Sequence, residues 1–152
     1  MFRNFMLLAI DMAKQAVQLG EVPIGAVLVN NRRGALYRAC NLVQTCNNPL
    51  LHAEFLVIRE AIANREEKFL HEFDLYVTLE PCYMCACAIS LSRIGRVFYA
   101  VQSNKFGALS NDHNFFSSPQ CFYRPEVYPD LGYHEYEEIL RDSFCKMRKN
   151  DV

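Results

Sequence analysis

The sequence predicts an α/β fold on a mixed five-stranded sheet, and three patterns carry that prediction. Ala26-Val27-Leu28-Val29 and the segment from Ala35 to about Asn41 are short strand-like runs on either side of the turn cluster Asn30 to Gly34, which reads as a hairpin. Leu75-Tyr76-Val77-Thr78-Leu79 and Val97-Phe98-Tyr99-Ala100-Val101 flank a helical segment, and strand, helix, strand in that order implies a right-handed crossover with parallel pairing. Apolar residues at helical spacing mark both ends of the chain.

Taken in order, Phe5, Leu8, Met12, Ala16 and Leu19 define an amphipathic helix from Phe2 to Leu19, with Gly20 as its C-cap. The hairpin follows, and then Thr45-Cys46-Asn47-Asn48-Pro49. That run is loop chemistry, because proline disfavours helix in the residue before it and asparagine satisfies turns. A helix is expected from Leu51 to about Asn64, then a polar exposed connection from Arg65 to Glu72. Cys82 to Leu91 is the crossover helix, with Pro81 suited to its first turn, where a missing N–H costs nothing. Ser110 to Pro129 is rich in Asn, Ser and Pro, with a fifth strand near Glu126-Val127-Tyr128. The last helix, about Tyr133 to Lys149, carries Ile139, Leu140, Phe144 and Met147 on one side.

At 152 residues, 51% of them hydrophobic, residues 1–152 suit one domain with a core that needs no disulfides. A net charge of −1 excludes a uniformly basic nucleic-acid coat, although local basic clusters can still grip phosphates. Seven cysteines form an odd set without framework spacing. Asp11 and Lys14 interrupt the apolar run that a signal peptide would need. Both point to a reduced, cytoplasmic protein, and no apolar segment approaches the roughly 20 residues of a membrane span.

The chemistry concentrates in His52-Ala53-Glu54 and Pro81-Cys82-Tyr83-Met84-Cys85. Two cysteines three apart at a helix start share a face, and the helix dipole there favours thiolates. With His52 they make three ligands, which is how catalytic zinc is held with its fourth position open, whereas structural zinc takes four. Glu54, two residues past His52, can reach a water at that position without binding metal itself. A His-x-Glu with a Pro-Cys-x-x-Cys is the known signature of zinc-dependent nucleobase deaminases, and the sequence is matched to that pattern here. Cys87, two past Cys85, is expected to point elsewhere as a buried thiol. Cys40, Cys46, Cys121 and Cys145 read as core or incidental thiols, and His71, His113 and His134 as exposed. Glu80 reads as a helix-start carboxylate, and Phe115, Phe116, Phe122 and Tyr123 as loop packing.

With these motifs go Gly20 to Val29, Asn41, Leu75 to Ala86, Ser92 to Val97, Lys105-Phe106-Gly107-Ala108 and Phe144-Cys145-Lys146-Met147-Arg148-Lys149. Together they resemble the cytidine/deoxycytidylate deaminase superfamily, and within it the bacterial tRNA-specific adenosine deaminases. The resemblance implies a three-layer α/β/α fold, a homodimer, one Zn2+ per subunit, and hydrolysis of the wobble adenosine of a tRNA anticodon stem-loop to inosine. It implies His52, Cys82 and Cys85 as metal ligands, Glu54 as the general acid/base, Asn41 bonding the target base, and the backbone of Ala53 orienting it. Lys105, Phe144, Lys146, Arg148 and Lys149 become candidate RNA contacts. Departures from the family pattern fall in Asn48 to Leu51, at Cys87, Ser103 and Ser110-Asn111, and at Cys145, away from the proposed ligands. Two rival readings share the same residues: a deaminase of free guanine, cytosine or cytidine, and a non-catalytic, zinc-stabilised RNA-binding module.

Overall fold

The computed structural model describes residues 4–65, 68–110, 114–129 and 132–150, with residues 65 and 148–150 given by backbone alone. Five strands, β1 Gly25–Asn30, β2 Ala35–Cys40, β3 Asp74–Leu79, β4 Arg96–Val101 and β5 Glu126–Tyr128, form one sheet in the order β2-β1-β3-β4-β5. β1 runs antiparallel to both β2 and β3, while β3, β4 and β5 are parallel, so the sheet is mixed as expected. The hairpin register runs from Gly25 opposite Cys40 to Asn30 opposite Ala35. Asn30 Oδ1 accepts the N–H groups of Arg32 and Arg33, and Gly34 supplies the positive φ that closes the turn.

Side-chain alternation along the strands assigns the layers. Ala26, Leu28, Leu75, Val77, Val97 and Tyr99 point to one face, where helices α2 (Ala53–Arg65) and α3 (Tyr83–Ser92) cover them with Val57, Ile58, Ala61, Ala86 and Ile89. Val27 and Ala100 point to the other, against Met6, Ala9, Ile10 and Ala13 of helix α1 (Phe5–Gln18) and Tyr136 of helix α4 (His134–Asn150). The result is the three-layer α/β/α arrangement. At Gly25 the backbone of α1 sits so close that any Cβ would meet Ala9 O and Ala13 N, so only glycine lets this layer seat.

Several expectations are corrected. α1 is described from Asn4, whose side chain caps it through Leu7 N–H, and Phe2 lies outside the described residues. α2 begins at Ala53 and not at Leu51, because the amides of Leu51 and His52 bond back to Asn48 and Leu50 in the preceding turns. Pro81 is not in the first turn of α3: Cys82 is the N-cap, with extended backbone, and Pro81 precedes it. The connection before β3 is not wholly exposed, since Leu70 is fully buried and donates its N–H to Ser92 O at 2.8 Å. On α4 the buried anchor is Tyr136, whose hydroxyl donates to Pro23 O at 2.9 Å, whereas Phe144 is 40% exposed.

Candidate metal and catalytic site

Parallel strands carry their functional residues at the carboxyl ends. β3 ends at Leu79, and the chain passes through Glu80 and Pro81 to Cys82 at the start of α3. As an N-cap whose side chain caps nothing, Cys82 turns its sulfur toward His52, and Cys85 one turn in is fully buried. On the next helix, β2 runs out into Asn41, and Asn41 Oδ1 accepts the N–H of Ala53 at 2.9 Å. That bond caps α2 and fixes where His52 and Glu54 stand.

The structure brings His52, Cys82 and Cys85 together. His52 Nδ1 lies 3.7 Å from each sulfur, and all three donor atoms fall within 4.8 Å of one another. Among the described residues no other group of histidine, cysteine and carboxylate donors meets that spacing. Cys87 is outside it, as expected, but is half-buried and not fully enclosed. The donor set fits a soft divalent cation such as zinc in number and type.

The protonation pattern fits too. A hydrogen bond from the Cys85 thiol, with His52 helping, holds Cys82 down to about 4, despite burial acting the other way. The same hydrogen bond between the two sulfurs, together with burial, pushes Cys85 up. His52 is raised, first by its bond to Cys82. These donors are crowded around shared protons that a cation would replace.

Glu54 is 3% exposed, and its Oε2 is buried without a partner. Burial pushes its carboxyl up to about 7, and the Cys82 thiolate adds to the shift, against its own backbone amide, His52 and a hydrogen bond with Cys85. A carboxyl poised there exchanges protons near neutral pH. Asn41 is 3% exposed, and with Oδ1 committed to Ala53 its amide nitrogen is not used within the described protein. The Ala53 N–H is spent on Asn41.

The proposed RNA contacts are dispersed. Lys105 is exposed in the loop after β4, its Nζ 5.0 Å from the Phe106 ring. Phe144 and Lys146 are exposed on α4, in the opposite helical layer from α2 and α3. The side chains of Arg148 and Lys149 lie outside the described residues, as does His113. Phe116 is buried and Phe115 partly so, but Phe122 is 78% exposed and does not pack its loop.

Two carboxylates have roles the sequence did not suggest. Glu80 is not a helix-start charge: it is 3% exposed and takes its hydrogen bonds from Ser103, Leu109 and Ser110 in the loop after β4. Glu21, 1% exposed, accepts from the N–H and hydroxyl of Thr45 at 2.7 and 2.8 Å and fixes the loop between Asn41 and His52. A glutamate among apolar neighbours hinted that each is buried, but not which loop each one holds.

With this geometry in view, the chain belongs to the cytidine and deoxycytidylate deaminases: residues 2–101 match their zinc-binding region. Within that family, a tRNA-specific adenosine deaminase of Agrobacterium fabrum is 45% identical over 148 residues, covering 97% of each chain. A solved structure from studies of A-to-I editing by tRNA:A34 deaminases at the wobble position of transfer RNA superposes with a TM-score of 0.85 at 45% identity. It covers 91% of this chain and 100% of that one. A guanine deaminase from Nitrosomonas europaea has a TM-score of 0.74 at 20% identity, over 91% and 82% of the two chains, a likeness of fold alone.

Proposed function

We propose that this protein is a zinc-dependent tRNA adenosine deaminase, converting adenosine at the wobble position of an anticodon to inosine. The observation that carries the reading is the unpartnered, buried Oε2 of Glu54 beside the His52, Cys82 and Cys85 donors. The Agrobacterium relative and the A34 deaminase structure, both at 45% identity, support the substrate over the free-base alternative.

His52 Nδ1 and the sulfurs of Cys82 and Cys85 would hold the zinc, which when bound would supply the Lewis acidity that makes water nucleophilic near neutral pH. Glu54 takes the proton from the attacking water. The hydroxyl oxygen adds at C6 of adenine, and the carboxyl delivers the proton it took to the adjacent ring nitrogen; it then moves the proton of the added hydroxyl to the amino group, which leaves as ammonia as the C6 carbonyl forms. Adenosine and water become inosine and ammonia. The Asn41 amide nitrogen donates to the target nucleoside, held in place by the Ala53 N–H. An unpaired loop base needs less unstacking than one in a duplex, by a few kcal/mol.

The test is inosine formation in an anticodon stem-loop, run beside ammonia release from free guanine, cytosine and cytidine. Activity on the free bases and none on the stem-loop would overturn the reading.

A homodimer in a reducing cytoplasm belongs to the same reading. Tyr83 and Leu91 of α3, 47% and 54% exposed, offer apolar surface for a second copy, and all seven cysteines are free thiols. Among the described residues no helix is long and apolar enough to cross a membrane. Sedimentation at micromolar concentration should show twice the 17.6 kDa chain mass, and a 17.6 kDa species alone would contradict the dimer.

A further inference from the structure

Glu80 stands two residues before Cys82 in sequence, yet its carboxylate faces another segment altogether. Oε2 accepts the N–H of Ser103 at 3.0 Å, while Oε1 accepts the N–H groups of Leu109 and Ser110 at 2.9 Å each and the Ser110 hydroxyl at 2.8 Å. Two more links tie this loop to the metal side of the fold. Ala108 N–H donates to Pro81 O at 3.0 Å, and Gly107 forms an isolated bridge with Cys82. A Cβ at Gly107 would meet the Glu80 carboxylate, so a larger residue there would have to displace it from its four hydrogen bonds.

The tip of the loop behaves oppositely. Asn104, Lys105 and Phe106 are exposed, Phe106 by 64%, with Lys105 Nζ lying over its ring. A buried anion thus holds both ends of a short loop, and the loop presents one aromatic ring and one cation next to a metal donor. An exposed aromatic offers a stacking surface for an unpaired base, and the neighbouring cation suits a phosphate. A loop left free would have to be ordered whenever RNA bound, and that cost weakens affinity.

We propose that Glu80 is a positioning residue for RNA: by clamping residues 103–110 it pre-orders Lys105 and Phe106 as a nucleotide-binding rim beside Cys82. The proposal rests on the tRNA reading above. It assigns Glu80 no part in proton transfer.

The experiment uses zinc-loaded protein, a wobble-adenosine stem-loop and Glu80→Gln, which keeps shape and removes charge. Amide exchange across 103–110 should quicken and KM should rise about tenfold, with kcat changed less than about twofold and zinc content unchanged. In a Lys105→Ala/Phe106→Ala background the same change should add little, since both act through one loop. Faster loop exchange with KM unchanged would overturn the proposal, as would a fall in kcat with loss of zinc. Should Glu80→Gln fail to fold, Ser110→Ala removes one donor from the loop side, and a smaller rise in KM is expected; an unchanged KM would overturn the proposal. Wild-type protein that neither binds nor deaminates the stem-loop sinks the tRNA reading. A working wild type matched by its Glu80→Gln variant sinks only the positioning role.

Discussion

Glu54 and Glu80 are equally hidden, each 3% exposed, and each stands two residues from a metal donor, but their surroundings are opposite. Glu80 gives both oxygens to four hydrogen bonds from one loop. Glu54 keeps Oε2 buried and unpartnered, an arrangement that costs on the order of 1–3 kcal/mol. A saturated carboxylate is a fixture of the scaffold. An unsaturated one beside the His52, Cys82 and Cys85 donors is placed to take and release a proton.

The sharpest way to break that contrast is Glu54→Gln, which keeps shape and removes the basic oxygen. Inosine formation should fall by about 10²- to 10⁴-fold, read in single-turnover assays, while zinc content stays within error and thermal stability does not fall. A variant that keeps its turnover would mean that the lone oxygen carries no proton.

Glu21 stands between the two: its Oε1 is satisfied by Thr45, but its Oε2 is buried without a partner as in Glu54, and it lies outside the metal-donor cluster, so its expected effect is structural and smaller. Burial pushes its carboxyl up, but the N–H groups of Thr45, Gln44 and Val43 and the Thr45 hydroxyl outweigh this, and the net shift is downward. A lowered folded-state pKa favours the native state above the ordinary value of 4.5, and that contribution is lost as pH falls below it. Glu21→Gln should therefore cost about 1–3 kcal/mol at neutral pH and flatten the acid limb of a stability profile. Denaturant melts from pH 3 to 7, a range chosen to bracket ordinary carboxylate titration, would show it, and an unchanged acid limb would remove Glu21 from the account.

The smallest effect is expected at Cys87. It lies outside the donor cluster, so Cys87→Ser should leave zinc stoichiometry and turnover unchanged. Loss of metal in that variant would make it a fourth ligand and the centre a closed one.

What the sequence made legible divides along the same line. Local chemistry was readable: His52, Glu54, Cys82 and Cys85 lie in two short motifs, and helical periodicity placed Cys82 and Cys85 at a helix start. Long-range pairing was not. Glu80 meets its partners 23 to 30 residues downstream, and nothing in its neighbourhood announces them. Tyr136 is buried on a helix otherwise rich in charge, because its hydroxyl finds Pro23 O across the fold, while Phe144 of the expected apolar side is left at the surface. The start of α2 was missed for a related reason: the capping oxygen comes from Asn41, twelve residues before Ala53.

The account stands on a metal centre with one position kept open beside Glu54. X-ray absorption at the zinc edge of purified protein, with metal content measured on the same sample, addresses it most directly. It should give one zinc per chain, with one nitrogen and two sulfur ligands from the protein and the remaining position filled by exchangeable solvent. A third sulfur in the coordination shell, or active protein without zinc, would contradict it.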